Sequence, residues 1–440
     1  MSTSGINPGL PQGWPDEEAL ARLANELFSA HPGSSAGAQT ATPPPLYVRS
    51  IPHDLNGDVP LGTSAPAAVS LPGEGELRAL LELVPHSPAT PPWTTVPGDA
   101  PAFYFLEHVD SARPIQPQPS QQGFGTPLDV SAIRRDFPIL EERVNGRQLV
   151  WLDNAATTQK PGAVIDRLKY FYEHENSNIH RAAHELAARA TDAYESARDK
   201  VRGFLNAGSV KEIVFVRGAT EAINLVAQSW GRQNIGKDDE IVISWLEHHA
   251  NIVPWQQLAA EKGAKLRVTP VDDRGQILLD EFRKLLSSKT KLVSFTQVSN
   301  ALGTITPARQ IIEATRTVGA KVLLDGVQSV SHMPVNLQEL NPDWFVFSGH
   351  KVFAPTGIGV LYGKEELLNE TQPWQGGGNR IQDVTFERTV CQPAPGRFEA
   401  GTGNIADAVG LGAAIDYVNS IGLDRIAEYE HQLLLYAERS

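Results

Sequence analysis

The sequence predicts an α/β domain over residues 126–415, built on a mainly parallel sheet with helices on both faces and preceded by a long acidic leader without a core of its own. Two observations predict this. Beyond residue 128, short apolar runs rich in β-branched and aromatic residues alternate with helical stretches, and nearly every polar cluster follows the end of such a run; parallel strands joined by crossover helices have this texture, with ligands bound beyond the carboxyl ends of the strands. Before residue 126 the composition changes: 20 of the 32 prolines fall there, with 12 Asp and Glu against 4 Arg and no Lys.

That leader, residues 1–125, carries a net −8 of the chain's −13. Such a segment buries too little apolar area to offset chain entropy and is expected to be largely disordered. It holds short apolar islands. In residues 16–30, DEEALARLANELFSA, the side chains Leu20, Leu23, Leu27 and Phe28 share one helical face, and Asp16, Glu17 and Glu18 suit the helix N-terminus. Residues 46–48, 77–84 and 102–106 form the others. Islands on Pro-rich spacers read as a docking tail whose motifs fold on binding.

Residues 128–143 read as an entry helix, and 149–152 (LVWL) as a strand running into Asp153-Asn154-Ala155-Ala156-Thr157-Thr158. Further strands are expected at 212–216, 240–244, 265–269, 292–296, 321–324 and 344–347, with helices in the gaps, such as one from Thr220 and one over 308–318. Residues 416–440 read as the start of a long helix leading into a further, smaller domain.

The polar clusters at the strand ends carry the chemistry. After 212–216 come Gly218, Ala219 and Thr220, where free backbone N–H groups and a hydroxyl at a helix start suit a phosphate, although Thr220 also serves as a plain N-cap. After 240–244 come Glu247, His248, His249 and Asn251. The adjacent histidines, like the i, i+4 pair His180 and His184, lack a carboxylate and third ligand at zinc spacing, so no metal is expected; a His at a strand mouth instead stacks flat on an aromatic ligand. Asp325 closes the apolar strand VLLD and needs a cationic partner, such as a protonated ring nitrogen. Last, WFVFSGHK ends a buried strand at Ser348, Gly349, His350 and Lys351. A lysine there is either a solvated surface lysine or one whose desolvated amine is free for imine chemistry. Together these are the parts of a pyridoxal phosphate site: lysine, ring-nitrogen partner, stacking side chain and phosphate cup.

The motifs LDNAATTQKP, NIHRAAHELA, FVRGATEAINLVAQSWG, EHHANIVPWQ, VSNALGT, LLDGVQSV, FSGHKVFAPTGIGVLYG and RFEAGTGN closely resemble the fold-type I pyridoxal phosphate enzymes of aminotransferase class V, and among them the SUF-type cysteine desulfurases and selenocysteine lyases. The resemblance implies a Schiff-base role for Lys351, a ring-nitrogen partner in Asp325, a ring-hydroxyl partner in Gln328 and a stacking ring in His248. It places the phosphate on Thr220, Ser348 and His350, sets Thr402 against the neighbouring subunit's phosphate in a homodimer, and puts Asn300 and His180 near substrate and ring. It implies L-cysteine as substrate and a sulfur-acceptor protein as partner. In that family the nucleophilic cysteine and the carboxylate-gripping arginine lie in a C-terminal part not found here, so the chain reads as a piece of a longer enzyme, or else as an adaptor that keeps the fold without the chemistry. The leader, with LARLANELFSAHPG near its start, resembles the cargo desulfurases of family 2 encapsulin shells, which implies a loading tail.

The bulk numbers exclude other classes. A net charge of −13 argues against a nucleic-acid partner held through phosphates. No run reaches the ~18 uninterrupted apolar residues of a membrane span, and residues 1–10 lack the features of a secretory signal, so a cytoplasmic location is expected. The single cysteine, Cys391, excludes an internal disulfide; it sits in a Pro-rich loop where the family does not place its nucleophile.

Overall fold

The computed structural model describes residues 128–180 and 184–439. The docking islands and the disorder expected for the leader lie outside the described residues.

Eleven strands occur among them. A small hairpin pairs β1 (Arg143–Val144) with β2 (Arg147–Gln148). The main sheet contains β3 (Ile213–Val216), β4 (Glu240–Ser244), β5 (Lys265–Thr269), β6 (Thr290–Thr296), β7 (Lys321–Asp325), β8 (Trp344–Ser348) and β9 (Gly359–Gly363). A second hairpin joins β10 (Ile381–Val384) to β11 (Thr389–Cys391). The seven-stranded sheet has the order β3-β9-β8-β7-β6-β4-β5. Neighbours from β8 to β5 run parallel, and only β9 opposes its neighbours β8 and β3. Six strands therefore point their carboxyl ends to one edge, and the chemistry-bearing clusters gather there.

The strand sequences explain the arrangement. IVFV, EIVIS and WFVFS are buried at every position, as strands covered on both faces must be. In β8 alternate side chains serve opposite cores: Phe345 and Phe347 join Phe171, Tyr194 and Phe282 on one face, whereas Trp344 and Val346 join Trp230 and Trp255 on the other. The helix Glu185–Phe204 buries Ala187, Ala190, Tyr194, Ala197 and Val201 at helical spacing and packs against the apolar helix Ile405–Ile421.

Two glycines are dictated by close approach. A Cβ on Gly359 would stand 2.5 Å from the Cα of Gly218 and 2.7 Å from the Phe347 carbonyl, where three strand ends meet. A Cβ on Gly326 would stand 1.8 Å from the Phe345 ring. Any side chain at either position displaces the strand ends that carry the site.

The structure corrects several expectations. The entry helix over 128–143 is only Val130–Arg135, followed by a 3-10 turn at Pro138–Glu141. Pro138 forces Phe137 into an extended conformation, φ −105° and ψ 94°, which breaks the helix. Residues 149–152 are not a strand: Val150 and Leu152 are 72% and 88% exposed and lie outside every strand. The local pairing is instead fixed by Asn145-Gly146, both with positive φ, which closes the β1–β2 hairpin. The sequence reading did not anticipate β9, whose glycine-bounded GVLYG carries a weak strand signal. Residues 416–440 do not hold one continuous helix. Ile405–Ile421 ends at Gly422, at φ 93°, and a second helix runs over Leu423–Arg439. Among the described residues no helix is long and apolar enough to cross a membrane.

Candidate active site

At the carboxyl edge of the sheet lies a cavity of about 470 Å³. Thr220 follows β3, His248 follows β4, Asn300 follows β6, Asp325 and Gln328 close β7, and Ser348, His350 and Lys351 close β8; all eight line this one cavity. Thr220 and Lys351, 131 positions apart in sequence, meet because each crossover helix returns the chain to the same edge. His180 and Thr402 do not line it. The His180 imidazole is 2.9 Å from Glu195, and Thr402 lines a second cavity of about 620 Å³ with Tyr194, Phe215 and Arg217. His184, the other member of the i, i+4 pair, accepts the Ala187 N–H as a helix cap.

Lys351 donates from Nζ to the Ala155 carbonyl at 2.6 Å, and Gln328 Nε2 donates to the same oxygen at 2.8 Å. The segment after Trp151 thus crosses the mouth of the site and sets the height of both side chains. Burial holds the Lys351 amine below the usual lysine range, against the pull of Asp325 and Asp153. Asp325 is buried, accepts the Val327 N–H at 2.9 Å, and is pushed up to about 6 by desolvation. Among the described residues no cation forms a salt bridge with its carboxylate, and Lys351 only opposes the shift.

His350 is fixed at both ends. Its carbonyl accepts from the Thr158 N–H at 2.9 Å and from the hydroxyls of Thr157 and Thr158, and its Nδ1 is 3.2 Å from Thr157 Oγ1. Burial first, then Lys351 and Lys160, lower the basicity of its imidazole. Ser348 Oγ accepts the Ala219 N–H at 2.9 Å, which joins the end of β8 to the start of the helix Ala219–Val226. His248 accepts the Ala250 N–H at Nδ1, so its ring orientation is set, and burial first, then Lys351 and His249, lower its basicity.

The donor set fits pyridoxal 5'-phosphate. A buried carboxylate short of a cation matches a protonated pyridine nitrogen, a depressed lysine amine matches an aldehyde, and hydroxyl, imidazole and backbone N–H groups at a helix start match a phosphate. One prediction follows from Asp325. Its folded value lies above the unfolded 3.8, so in the cofactor-free protein its contribution is neutral below about 4 and increasingly unfavourable as pH rises through about 6. Urea titrations of the apoprotein are expected to show stability falling across that window, and Asp325→Asn is expected to remove this component.

Sequence reasoning missed the roles of Ala155, Thr157 and Thr158, which act mainly through backbone groups that residue identity does not advertise. It also gave no role to Glu247 and Asn251, whose i, i+4 spacing beside His248 was the available signal. Cys391 stands on β11, half-buried, with its Sγ accepting from Arg380 Nη1 at 3.1 Å, and is not among the cavity residues.

Comparison with known proteins agrees with this geometry. The family profile "Aminotransferase class-V" matches residues 150–440. A cysteine desulfurase of Synechococcus elongatus is 74% identical over 309 residues, 70% of this chain and 49% of that protein. A probable cysteine desulfurase of Mycolicibacterium paratuberculosis is 53% identical over 438 residues, 98% of this chain and 60% of that protein. The chain thus spans about half to three fifths of the length of these relatives. Among solved structures, the cysteine desulfurase CsdA of Escherichia coli superposes with a TM-score of 0.66 at 38% identity, covering 72% of this chain and 77% of that one. The cysteine desulfurase of Thermococcus onnurineus gives 0.68 at 36% over the same shares. The fold is that of the fold-type I pyridoxal phosphate enzymes, and this chain belongs to the aminotransferase class-V family.

Proposed function

We propose that this chain carries the cofactor-holding part of a SUF-type cysteine desulfurase, which converts L-cysteine to L-alanine and passes the sulfur on as a persulfide. The convergence of Lys351 and the buried Asp325 on one cavity carries the reading, in a chain whose relatives bear the name cysteine desulfurase.

Pyridoxal phosphate, when bound, supplies an electron sink for the substrate Cα. The residues of the chain do the rest. Asp325 would keep the ring nitrogen protonated, Gln328 would serve the ring hydroxyl, and His248 would cover the ring. Thr220, Ser348 and His350 would hold the phosphate, and Asn300 would serve the substrate side. Lys351 would anchor the cofactor and, with its amine depressed by burial, would carry the proton to and from the substrate at Nζ. The Cβ–S bond breaks as a thiol takes the sulfur: cysteine plus thiol gives alanine plus persulfide, with no outside oxidant or reductant. That thiol is a cysteine other than Cys391. A homodimer in which Thr402 serves the partner's phosphate site accounts for the placement of Thr402 on the second cavity.

Incubating the full-length protein with L-cysteine is expected to yield alanine and, with a reductant present, an equal amount of sulfide. Alanine formed from selenocysteine but not from cysteine would overturn the substrate assignment.

The leader, residues 1–125, is proposed to be a loading tail for an encapsulin-type shell, consistent with its inclusion in the 438-residue match to the Mycolicibacterium relative. Deleting residues 1–125 is expected to abolish co-purification with the shell protein while leaving cofactor binding intact. Loss of folding on that deletion would instead make the leader part of the catalytic core.

A further inference from the structure

The buried carboxyl of Glu247 lies next to the site but has no part in the chemistry above. It is 7% exposed. Its Oε1 accepts the Thr296 N–H at 3.1 Å and the Ser244 hydroxyl, and its Oε2 accepts Asn251 Nδ2 at 2.6 Å. The Asn251 orientation is settled by Trp255, whose Nε1–H donates to Asn251 Oδ1 at 2.9 Å, with Ser294 Oγ on the same oxygen at 2.6 Å. Asn251 therefore presents its NH2 to Glu247, and the carboxyl receives donors from three separate elements: the end of β4, the His249–Asn251 turn and the end of β6.

Those elements adjoin the two groups proposed to meet the ring from different sides. His248 is the next residue in the chain, and Thr296 is paired in register with Asp325 across β6 and β7. We propose that Glu247 is a positioning residue for His248 and Asp325 together, fastening the turn beside the imidazole to the end of β6, the strand paired with the end of β7 that bears the carboxylate. The inference rests on the pyridoxal phosphate reading of the cavity.

The ionisable group facing Glu247 is Asp325 from β7; β4, the turn and β6 contribute the neutral donors Ser244, Asn251 and Thr296, and Trp255 of the helix Val253–Lys262 reaches it only through Asn251. Desolvation, opposed by the hydrogen bonds and reinforced by Asp325, pushes Glu247 up to about 8. Its charge thus changes near neutrality, next to the group that balances the ring.

The decisive comparison is between Glu247→Gln and Glu247→Ala in the full-length protein. Gln keeps the volume but turns one NH2 group towards a donor that cannot invert. Both variants are expected to hold the cofactor more weakly, by roughly tenfold for Gln and more for Ala, read as the dissociation constant for pyridoxal phosphate. The pH midpoint of the bound cofactor's visible absorbance is expected to shift by roughly one unit in Glu247→Gln, because the His248 turn and the end of β6 are no longer held in place beside Asp325. Lower thermal stability with unchanged affinity and midpoint would overturn the proposal and leave Glu247 as a structural residue. If the unsubstituted protein binds no pyridoxal phosphate, the underlying cofactor reading fails instead.

Discussion

Lys351→Ala is expected to abolish the visible imine band of protein-held pyridoxal phosphate and to lower alanine formation from cysteine by roughly 10³-fold or more. The size follows from two roles on one nitrogen. In the proposed function Nζ is the covalent anchor, and it is also the amine that burial holds below the usual lysine range. Lys351→Arg separates these roles. It keeps a cation near Asp325 and a donor for the Ala155 carbonyl, yet it forms no imine and does not deprotonate. Arg is therefore expected to fold as well as the parent and, like Ala, to lack the imine band and be inactive. Lys351→Ala with intact colour and turnover would refute the assignment. Because Ser348, His350 and Asp325 remain, the alanine variant should still bind pyridoxal phosphate non-covalently, detectable by calorimetry.

The site was legible wherever a side chain had to do chemistry at a strand end. Asp325 after VLL and Lys351 after WFVFSGH are costly residues placed where apolar runs stop, so sequence alone marks them. Ala155 could not be read that way, because its carbonyl does the work and any residue supplies one. His180 illustrates a different limit. Its motif resembles the family, but in the folded chain its ring turns to Glu195, which raises its basicity through the hydrogen bond they share. The fold shows the same division. Strands buried on both faces announce themselves by composition, as WFVFS does. GVLYG does not, although β9 completes the sheet between β3 and β8, because its glycines are required by close approach to Gly218 and Trp344 and dilute the apolar signal.

Glu399→Ala is expected to destabilise the protein by about 3–5 kcal/mol, the usual cost of leaving a buried charge without its partner. The Arg198 side chain is 2% exposed and Glu399 is 7% exposed. They pair bidentately, Nη1 to Oε1 at 2.7 Å and Nη2 to Oε2 at 3.0 Å. Glu399 also accepts the Phe215 N–H at 2.8 Å and the Tyr194 hydroxyl at 3.2 Å, and the rings of Tyr194 and Phe215 flank the guanidinium at 5.1 and 4.7 Å. Removing the carboxylate therefore strands a guanidinium, a backbone donor on β3 and a buried phenol at once, with only the half-exposed Glu195 and the Ile213 carbonyl left to Arg198. Glu399→Gln keeps the shape and part of the hydrogen bonding, so its loss should be smaller. In Arg198→Met combined with Glu399→Ala the unpaired charge is gone, so the double variant should be more stable than Glu399→Ala alone. Urea denaturation of the parent, Glu399→Ala, Arg198→Met and the double variant gives the coupling directly. A Glu399→Ala loss below about 1 kcal/mol would mean that water reaches the guanidinium and the pair is no stronger than a surface one. Thr402 lies three residues beyond Glu399, and the Asn379 side chain donates to the Glu399 carbonyl at 3.2 Å. The same ion pair therefore fixes the loop that carries Thr402, and the stability loss should come with a second cavity that no longer holds its shape.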